Sequence, residues 1–332
     1  MQEATASGSA ASDRRERRRV LILGVSGQDG ALLARHLIAA GDAVEGTSRD
    51  GIAPNLARVG VAGAVPVHRV DPLSASEITT LVETLRPDRI YHLSGQSSVG
   101  RSFSQPRETY ESHVRSTLNI LEAVRTLRPA CRVFVASSGE VFGETALTGA
   151  DERAPFAPVT PYGVAKAAAA SLVANYRGVY GVYACSGFLF NHESELRPED
   201  FIVQRIARGA VAIARGRADT LTLGNLDIVR DFGWAADYVD CMARMLEQAE
   251  PRDHVVATGI PTSLEGLVDA VFTMMGLDWH EHVRHDGALV RPLDIRVSVG
   301  DPQLAAERLG WRAETCMPAI AERLVDAARE AA

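Results

Sequence analysis

The sequence predicts an α/β chain: a doubly wound parallel sheet with a smaller C-terminal α/β region packed over its carboxyl edge. Short apolar runs alternate with helical stretches from Val20 onward, and a glycine-rich turn follows the first run. After Asn191 the strict alternation lapses while residues of chemical interest continue. Strands spaced by helices of this length imply βαβ units, and hence parallel pairing.

Taken in order, VLILG (Val20–Gly24) is an apolar run closed by glycine, and a helix is predicted over Ala31–Ala40. Asp42–Ser48 reads as the second strand, Val65–Val70 as the third, Arg89–Ser94 as the fourth and Arg132–Ser137 as the fifth. Helices are predicted over Ser74–Arg86, Glu108–Arg128 and Tyr162–Tyr180, and Val182–Phe190 continues the sheet. Pro198 opens a helical segment through Arg217, followed by a strand-like LTLG, a loop containing Arg230 and a helix near Tyr238–Gln248. The chain ends in an Ala-rich helix. Residues 1–19 read as a disordered or partner-pinned basic arm, ahead of one unit over 20–190 and a second over 191–332 with interleaved segments.

With 332 residues, 46% of them hydrophobic, the chain has ample material for a buried core. The net charge of −7 disfavours a general nucleic-acid binder, whose domain is normally basic. No apolar run reaches the length of a membrane span, and MQEATASGSAASDRRERRR lacks the apolar core of a secretory signal. Cys131, Cys185, Cys241 and Cys316 form no CxxC pair, so reduced thiols in a cytoplasmic protein are expected rather than a disulfide framework.

GVSGQDG carries glycines at 24, 27 and 30 between a predicted strand and a predicted helix. Glycines permit a tight turn and a close backbone approach, and the amides of a helix N-terminus meet a pyrophosphate. The motif suits a dinucleotide on a Rossmann-type sheet, although such turns also serve plain strand–helix packing. At the end of the second strand, Arg49 favours the 2′-phosphate of NADP, whereas Asp50 weakens that preference and leaves NAD as the alternative. Asp71 can reach the adenine side or cap the helix at Ser74.

Tyr162 and Lys166 form a Tyr-x3-Lys, which puts both side chains on one helix face. An ammonium beside a phenol lowers a pKa that starts near ~10, so the tyrosine can exchange protons near neutrality. ASSGEVFG (Ala136–Gly143) falls where the fifth strand ends. Ser138 can share a substrate oxygen with Tyr162, or simply make a turn. Glu140 offers a carboxylate that plain alcohol dehydrogenation does not need; its bland alternative is a solvated loop acid.

With those residues placed, the chain resembles the GDP-mannose 4,6-dehydratase family of extended short-chain dehydrogenases/reductases. The resemblance runs from Val20 nearly to the C-terminus, through GVSGQDG, ASSGEVFG, PYGVAK, FLFNHES (Phe188–Ser194), LGNLDIVRDFGWAADYV (Leu223–Val239), VVATG, Arg291–Pro292 and GDP…LGW. It implies Ser138, Glu140, Tyr162 and Lys166 as the catalytic set. It implies Gly24, Gly27, Gln28, Asp29, Gly30, Arg49, Asp71, Leu93, Ser94, Gln96, Ser97, Lys166, His192 and Arg197 around NADP. Asn191, Arg205, Arg230 and Arg291 are implied near a GDP-sugar, whose diphosphate suits planar guanidinium donors. The implied reaction is an internal redox loss of water giving a 4-keto-6-deoxy sugar, by a homodimer or homotetramer.

Ser138 stands where the family usually has threonine, Gly139 where it has serine, Asp50 where it has a second arginine, and Glu108 where it has a tyrosine. Gln204–Arg205 replaces an Arg-Lys pair, and an insertion before Arg291 is shortened. The alternatives are a reductase or epimerase of a GDP-4-keto sugar, a dehydratase of a GDP-heptose, and a non-enzymatic dinucleotide sensor. His280, His282 and His285 in WHEHVRH read as a solvated strand edge, since no acid or cysteine frame completes a metal site.

Overall fold

The computed structural model describes residues 17–290 and 292–331. Most of the predicted amino-terminal arm (1–16) and Arg291 lie outside the described residues. The first half runs β1 (Arg19–Leu23), α1 (Gln28–Ala39), β2 (Ala43–Ser48), α2 (Pro54–Arg58), β3 (Val67–Arg69), α3 (Ala75–Leu85) and β4 (Arg89–His92). It continues with α4 (Val99–Ser104), α5 (Pro106–Tyr110), α6 (Ser116–Leu127), β5 (Arg132–Ala136), α7 (Pro161–Tyr180), β6 (Ala184–Leu189) and β7 (Asn191–Glu193). The second half holds α8 (Ile202–Ala214), β8 (Leu221–Leu223), β9 (Val229–Trp234), α9 (Ala235–Met245), β10 (His254–Val256), β11 (Pro261–Ser263) and α10 (Leu264–Met274). It closes with α11 (Trp279–His282), β12 (Val283–His285), β13 (Val297–Ser298), α12 (Gln303–Leu309) and α13 (Ala319–Ala331).

Seven strands form a parallel sheet in the order β10-β6-β5-β4-β1-β2-β3. Alternation along β1 shows how it is held. Val20 and Ile22 join the core shared with α1 and α9, while Leu21 and Leu23 join the core under α3 and α6. Burial of each such side chain contributes roughly 1.5–3 kcal/mol. The chain leaves β1 toward β2 and returns through β4 on the other side. The carboxyl ends of β1 and β4 therefore flank the switch point, where open α/β sheets place ligands. A third core joins α8, α10 and α13 beneath β9. A smaller sheet orders β11-β9-β13, with β7 also pairing β9, and β8 pairs β12.

Several expectations need correction. Arg230 lies on strand β9 rather than in a loop, because β9 is paired by β7, β11 and β13. The helix expected from Pro198 begins only at Ile202, after a turn closed by Phe201 N to Pro198 O. The single helix expected over Glu108–Arg128 is split by a π-helical turn, Glu111–Arg115, between α5 and α6. Within WHEHVRH, His280 and His282 stand on the helical turn α11, which Asp278 caps, and only Val283–His285 is strand. Among the described residues no cluster of His, Cys, Asp or Glu is gathered for a metal, and no helix is long and apolar enough to cross a membrane. The four cysteines are unpaired thiols.

Candidate active site

The glycine turn follows β1. Gly24 has φ +89°, and a Cβ there would lie 2.8 Å from Ser94 N; a Cβ on Gly30 would lie 2.3 Å from Gly24 O. Both positions therefore exclude side chains, and Gly24 N and Val25 N bond Thr47 O to fix the loop. Gly27 differs, since a Cβ on it would meet only Gly24 O at 3.4 Å. It is the N-cap of α1 and supplies no side-chain cap, whereas Ser74, Thr160 and Ser263 cap α3, α7 and α10 with hydroxyls. An uncapped helix start bare of a Cβ at the switch point suits the pyrophosphate of a dinucleotide.

From this turn a polar chain crosses the molecule. Gln28 Nε2 donates to Asp29 Oδ1 (3.0 Å) and to His192 O (3.3 Å), and Ser194 Oγ donates to Gln28 Oε1 (2.8 Å). His192 Nε2 lies 3.0 Å from Asp29 Oδ2 and its Nδ1 lies 2.7 Å from Phe190 O. Burial alone lowers the basicity of His192, but the Asp29 carboxylate overrides it and the ring is raised above its ordinary value. The same pairing, against the opposing effect of burial, holds Asp29 at about 2.

Tyr162 and Lys166 sit in the first turns of α7, where Thr160 is the N-cap (its Oγ1 accepts from Gly163 N, 2.9 Å) and Pro161 is N1. Both are buried. Lys166 Nζ donates to Ala136 O at 2.7 Å and lies 5.6 Å from the Tyr162 ring centre. Burial pulls the ammonium down to about 8 despite Asp29. Contrary to the lowering expected from the Lys166 spacing, burial and then the Glu140 charge push the Tyr162 phenol upward, with the Ser138 hydroxyl opposing them. Ser138 begins a 3₁₀ turn, Gly139–Phe142, and its Oγ accepts from Glu140 N at 3.2 Å. Thr160 Oγ1 donates to Glu140 Oε2 at 3.1 Å, so the helix cap also orients the carboxylate.

One cavity of about 410 Å³ is lined by Ser138, Glu140, Tyr162, Lys166, Asp29, Leu93, Ser94, Gln96, Ser97, Asn191, His192, Arg197, Arg205 and Arg230. Gly24, Gly27, Gln28, Gly30, Arg49 and Asp71 are not on its wall. Arg49 and Asp71 are exposed beyond the ends of β2 and β3. The carboxylate of Asp50 accepts from Ser48 Oγ and Ile52 N, while that of Asp71 accepts from Leu73 N. Arg205 donates to Thr222 O, and Arg230 pairs with Asp294 at 2.9 Å. Arg291 lies outside the described residues.

The wall also holds His113, Glu193 and Asp294, for which the sequence raised no expectation. A signal for His113 did exist: it stands four, seven, eight and eleven residues ahead of Thr117, Ile120, Leu121 and Val124, the buried stripe of α6. Glu193 is buried with its Oε2 3.5 Å from Arg197 Nε, and burial raises its pKa.

The chain matches the family described as GDP-mannose 4,6 dehydratase over residues 21–324. It is 35% identical to the GDP-mannose 4,6-dehydratase of Vibrio cholerae, over 93% of each chain. It is 36% identical to GDP-mannose 4,6 dehydratase 1 of Arabidopsis thaliana, over 93% of this chain and 89% of that one. The UDP-glucose 4-epimerase of Thermus thermophilus, solved with NAD, superposes with a TM-score of 0.83 at 26% identity, covering 95% of this chain and 100% of that one. The Rossmann-type parallel sheet agrees with those matches. The chain belongs to the GDP-mannose 4,6-dehydratase family of extended short-chain dehydrogenases/reductases.

Proposed function

We propose that this protein is a hydro-lyase that converts a GDP-hexose, GDP-D-mannose foremost, to the GDP-4-keto-6-deoxy sugar with NADP held throughout. The observation that carries the reading is the Glu140 carboxylate, oriented by Thr160, on the same cavity as Tyr162 and Lys166. Oxidation of a hydroxyl needs only the tyrosine and lysine; loss of water needs a second acid–base group.

Tyr162, as phenolate, takes the proton of the sugar 4-hydroxyl, with Ser138 hydrogen-bonded to the same oxygen. Lys166 supplies the positive charge that stabilises the phenolate, and Ala136 O fixes its direction. When bound, NADP+ would supply the hydride acceptor and donor that the C4 oxidation and the C6 reduction require. The 4-keto group acidifies C5. Glu140 removes the C5 proton and delivers it to the departing 6-hydroxyl, so that one water leaves. Tyr162 then returns its proton to C5, which restores the phenolate and balances the reaction.

Residues 20–190 would hold most of the dinucleotide, through the glycine turn and the Leu93–Ser97 loop, and Arg49 would be the partner of a 2′-phosphate. The GDP-sugar lies mainly on residues 191–332, its diphosphate held by Arg205, Arg230 and Arg291. A homodimer or homotetramer is the assembly this reading carries. The test is the purified protein with NADP+ and GDP-D-mannose, read by mass spectrometry. A product lighter by one water supports the dehydratase; an unchanged sugar, with NADPH consumed against a GDP-4-keto sugar, replaces it with the reductase.

A further inference from the structure

The π-helical turn Glu111–Arg115 interrupts the α5–α6 run at the cavity wall. Such turns shift the helical phase and so re-aim a side chain. Here the re-aimed residue is His113, 3% exposed. Three contacts clamp its imidazole. Its ring meets the Tyr162 ring edge-on, with centroids 5.4 Å apart and planes at 84°. Its Nε2 donates to Gln96 O at 2.8 Å. Its other edge packs on Gly95, where a Cβ would lie 2.5 Å from Cε1 and 2.7 Å from Nδ1.

The same turn is tied to the β4 loop a second time. His92 Nε2 lies 2.9 Å from Ser116 Oγ, its Nδ1 lies 3.2 Å from Ser94 Oγ, and Ser116 Oγ donates to Ser112 O at 2.6 Å. The π turn thus joins the Leu93–Ser97 loop to the helix that carries Tyr162 and Lys166.

We propose that His113 is a positioning residue for the dehydratase reaction: its neutral ring fixes the orientation of the Tyr162 phenol relative to Lys166 and locks the cofactor loop to the catalytic helix. The proposal deepens the dehydratase reading and rests on it. Neutrality follows from the geometry. With Nε2–H committed to Gln96 O and Nδ1 against Gly95, the ring has no acceptor waiting for a second proton. Burial first, then Lys166 from α7 and least of all His92 from β4, hold it well below its ordinary value, against the bond to Gln96 O, which favours the charge. A cationic imidazole there would compete with Lys166 for the phenolate. Burial and then the Glu140 charge raise the titration of Tyr162, the Ser138 hydroxyl and Arg197 lower it, and Asp29 raises it.

Two variants of the full-length protein separate the ring from its donor. His113→Phe keeps an aromatic edge beside Tyr162 and loses the bond to Gln96 O, whereas His113→Gln keeps a donor and loses the ring. With GDP-D-mannose and NADP+, His113→Phe, which loses the bond to Gln96 O on the cofactor loop, is expected to weaken NADP+ binding by about 3–10-fold, with the acid limb of its pH profile unmoved. His113→Gln is expected to lose about 10-fold or more in kcat, with KM within about 3-fold and the acid limb moved to higher pH. An acid limb that moves equally in both variants or more in Phe than in Gln, or wild-type NADP+ affinity in His113→Phe, overturns the proposal. Wild-type protein run alongside separates the two readings. No dehydration by the wild type refutes the dehydratase assignment, whereas active wild type with one of those variant patterns refutes only the role of His113.

Discussion

Replacing Asp29 by asparagine tests the polar chain that ties the glycine turn to β7. Both nitrogens of His192 face acceptors, Phe190 O at 2.7 Å and Asp29 Oδ2 at 3.0 Å, so the ring is held as an imidazolium against a carboxylate that is 22% exposed. Burial opposes ionisation of Asp29, yet His192 and the Gln28 amide hold its pKa at about 2, against an ordinary 3.8. A depressed carboxyl adds stability that is present above its unfolded value and is lost as pH falls through the folded one. That window runs from about pH 4 down to about pH 2. The shift corresponds to about 2 kcal/mol. His192, raised by the same partner, contributes fully below its unfolded value near ~6.5 and loses that contribution as pH rises through its folded pKa. The two shifts describe one interaction and count once. Urea unfolding of wild type and Asp29→Asn should therefore differ by about 2 kcal/mol near pH ~5.5, with the gap narrowing toward both ends of the pH range. A difference flat in pH, or below about 0.5 kcal/mol near pH ~5.5, refutes the ion-pair account.

Three further outcomes are expected. Glu140→Gln should still remove the C4 hydride, seen as one equivalent of NADPH absorbance, while loss of water slows by about 10²-fold or more; release of water at the wild-type rate would reassign the acid. Lys166→Met should abolish turnover yet unfold at a higher denaturant concentration. The buried ammonium, held at about 8, carries a desolvation penalty that is full below about pH 8 and gone above its unfolded value near ~10.5. The gain at neutral pH is about 1–3 kcal/mol after loss of the Ala136 hydrogen bond, and a less stable variant contradicts it. Gly30→Ala forces a Cβ to within 2.3 Å of Gly24 O, so fluorescence titration should show NADPH binding weakened by about 10-fold or more. Unchanged affinity would mean that the turn does not hold the dinucleotide.

Much of the fold is legible along the chain because its signals are local. The glycines at 24 and 30 are demanded by contacts within seven residues or with the adjacent β4 loop, and the Tyr162–Lys166 spacing fixes one helix face by itself. Thr160–Pro161 ahead of Tyr162 is a capping signature that the structure uses twice, for the helix and for Glu140. The π turn was not legible, because a helical period carries no mark of one inserted residue; the phase of His113 with the buried stripe of α6 marks it as inward-facing but does not name Tyr162 and Gln96 as its partners.

Sequence alone therefore determined the alternation that makes a parallel sheet, the turn at its first strand and the helix that pairs a phenol with an ammonium. Each depends on neighbours a few residues apart. Tertiary structure decided the partners: Asp29 with His192 across 163 positions, Arg230 on a paired strand against Asp294, and β10 of the second half added beside β6 of the first. Those pairings are settled by strand order and by which buried polar atoms can be satisfied together. Residues far apart in sequence meet those conditions only once the whole chain has packed.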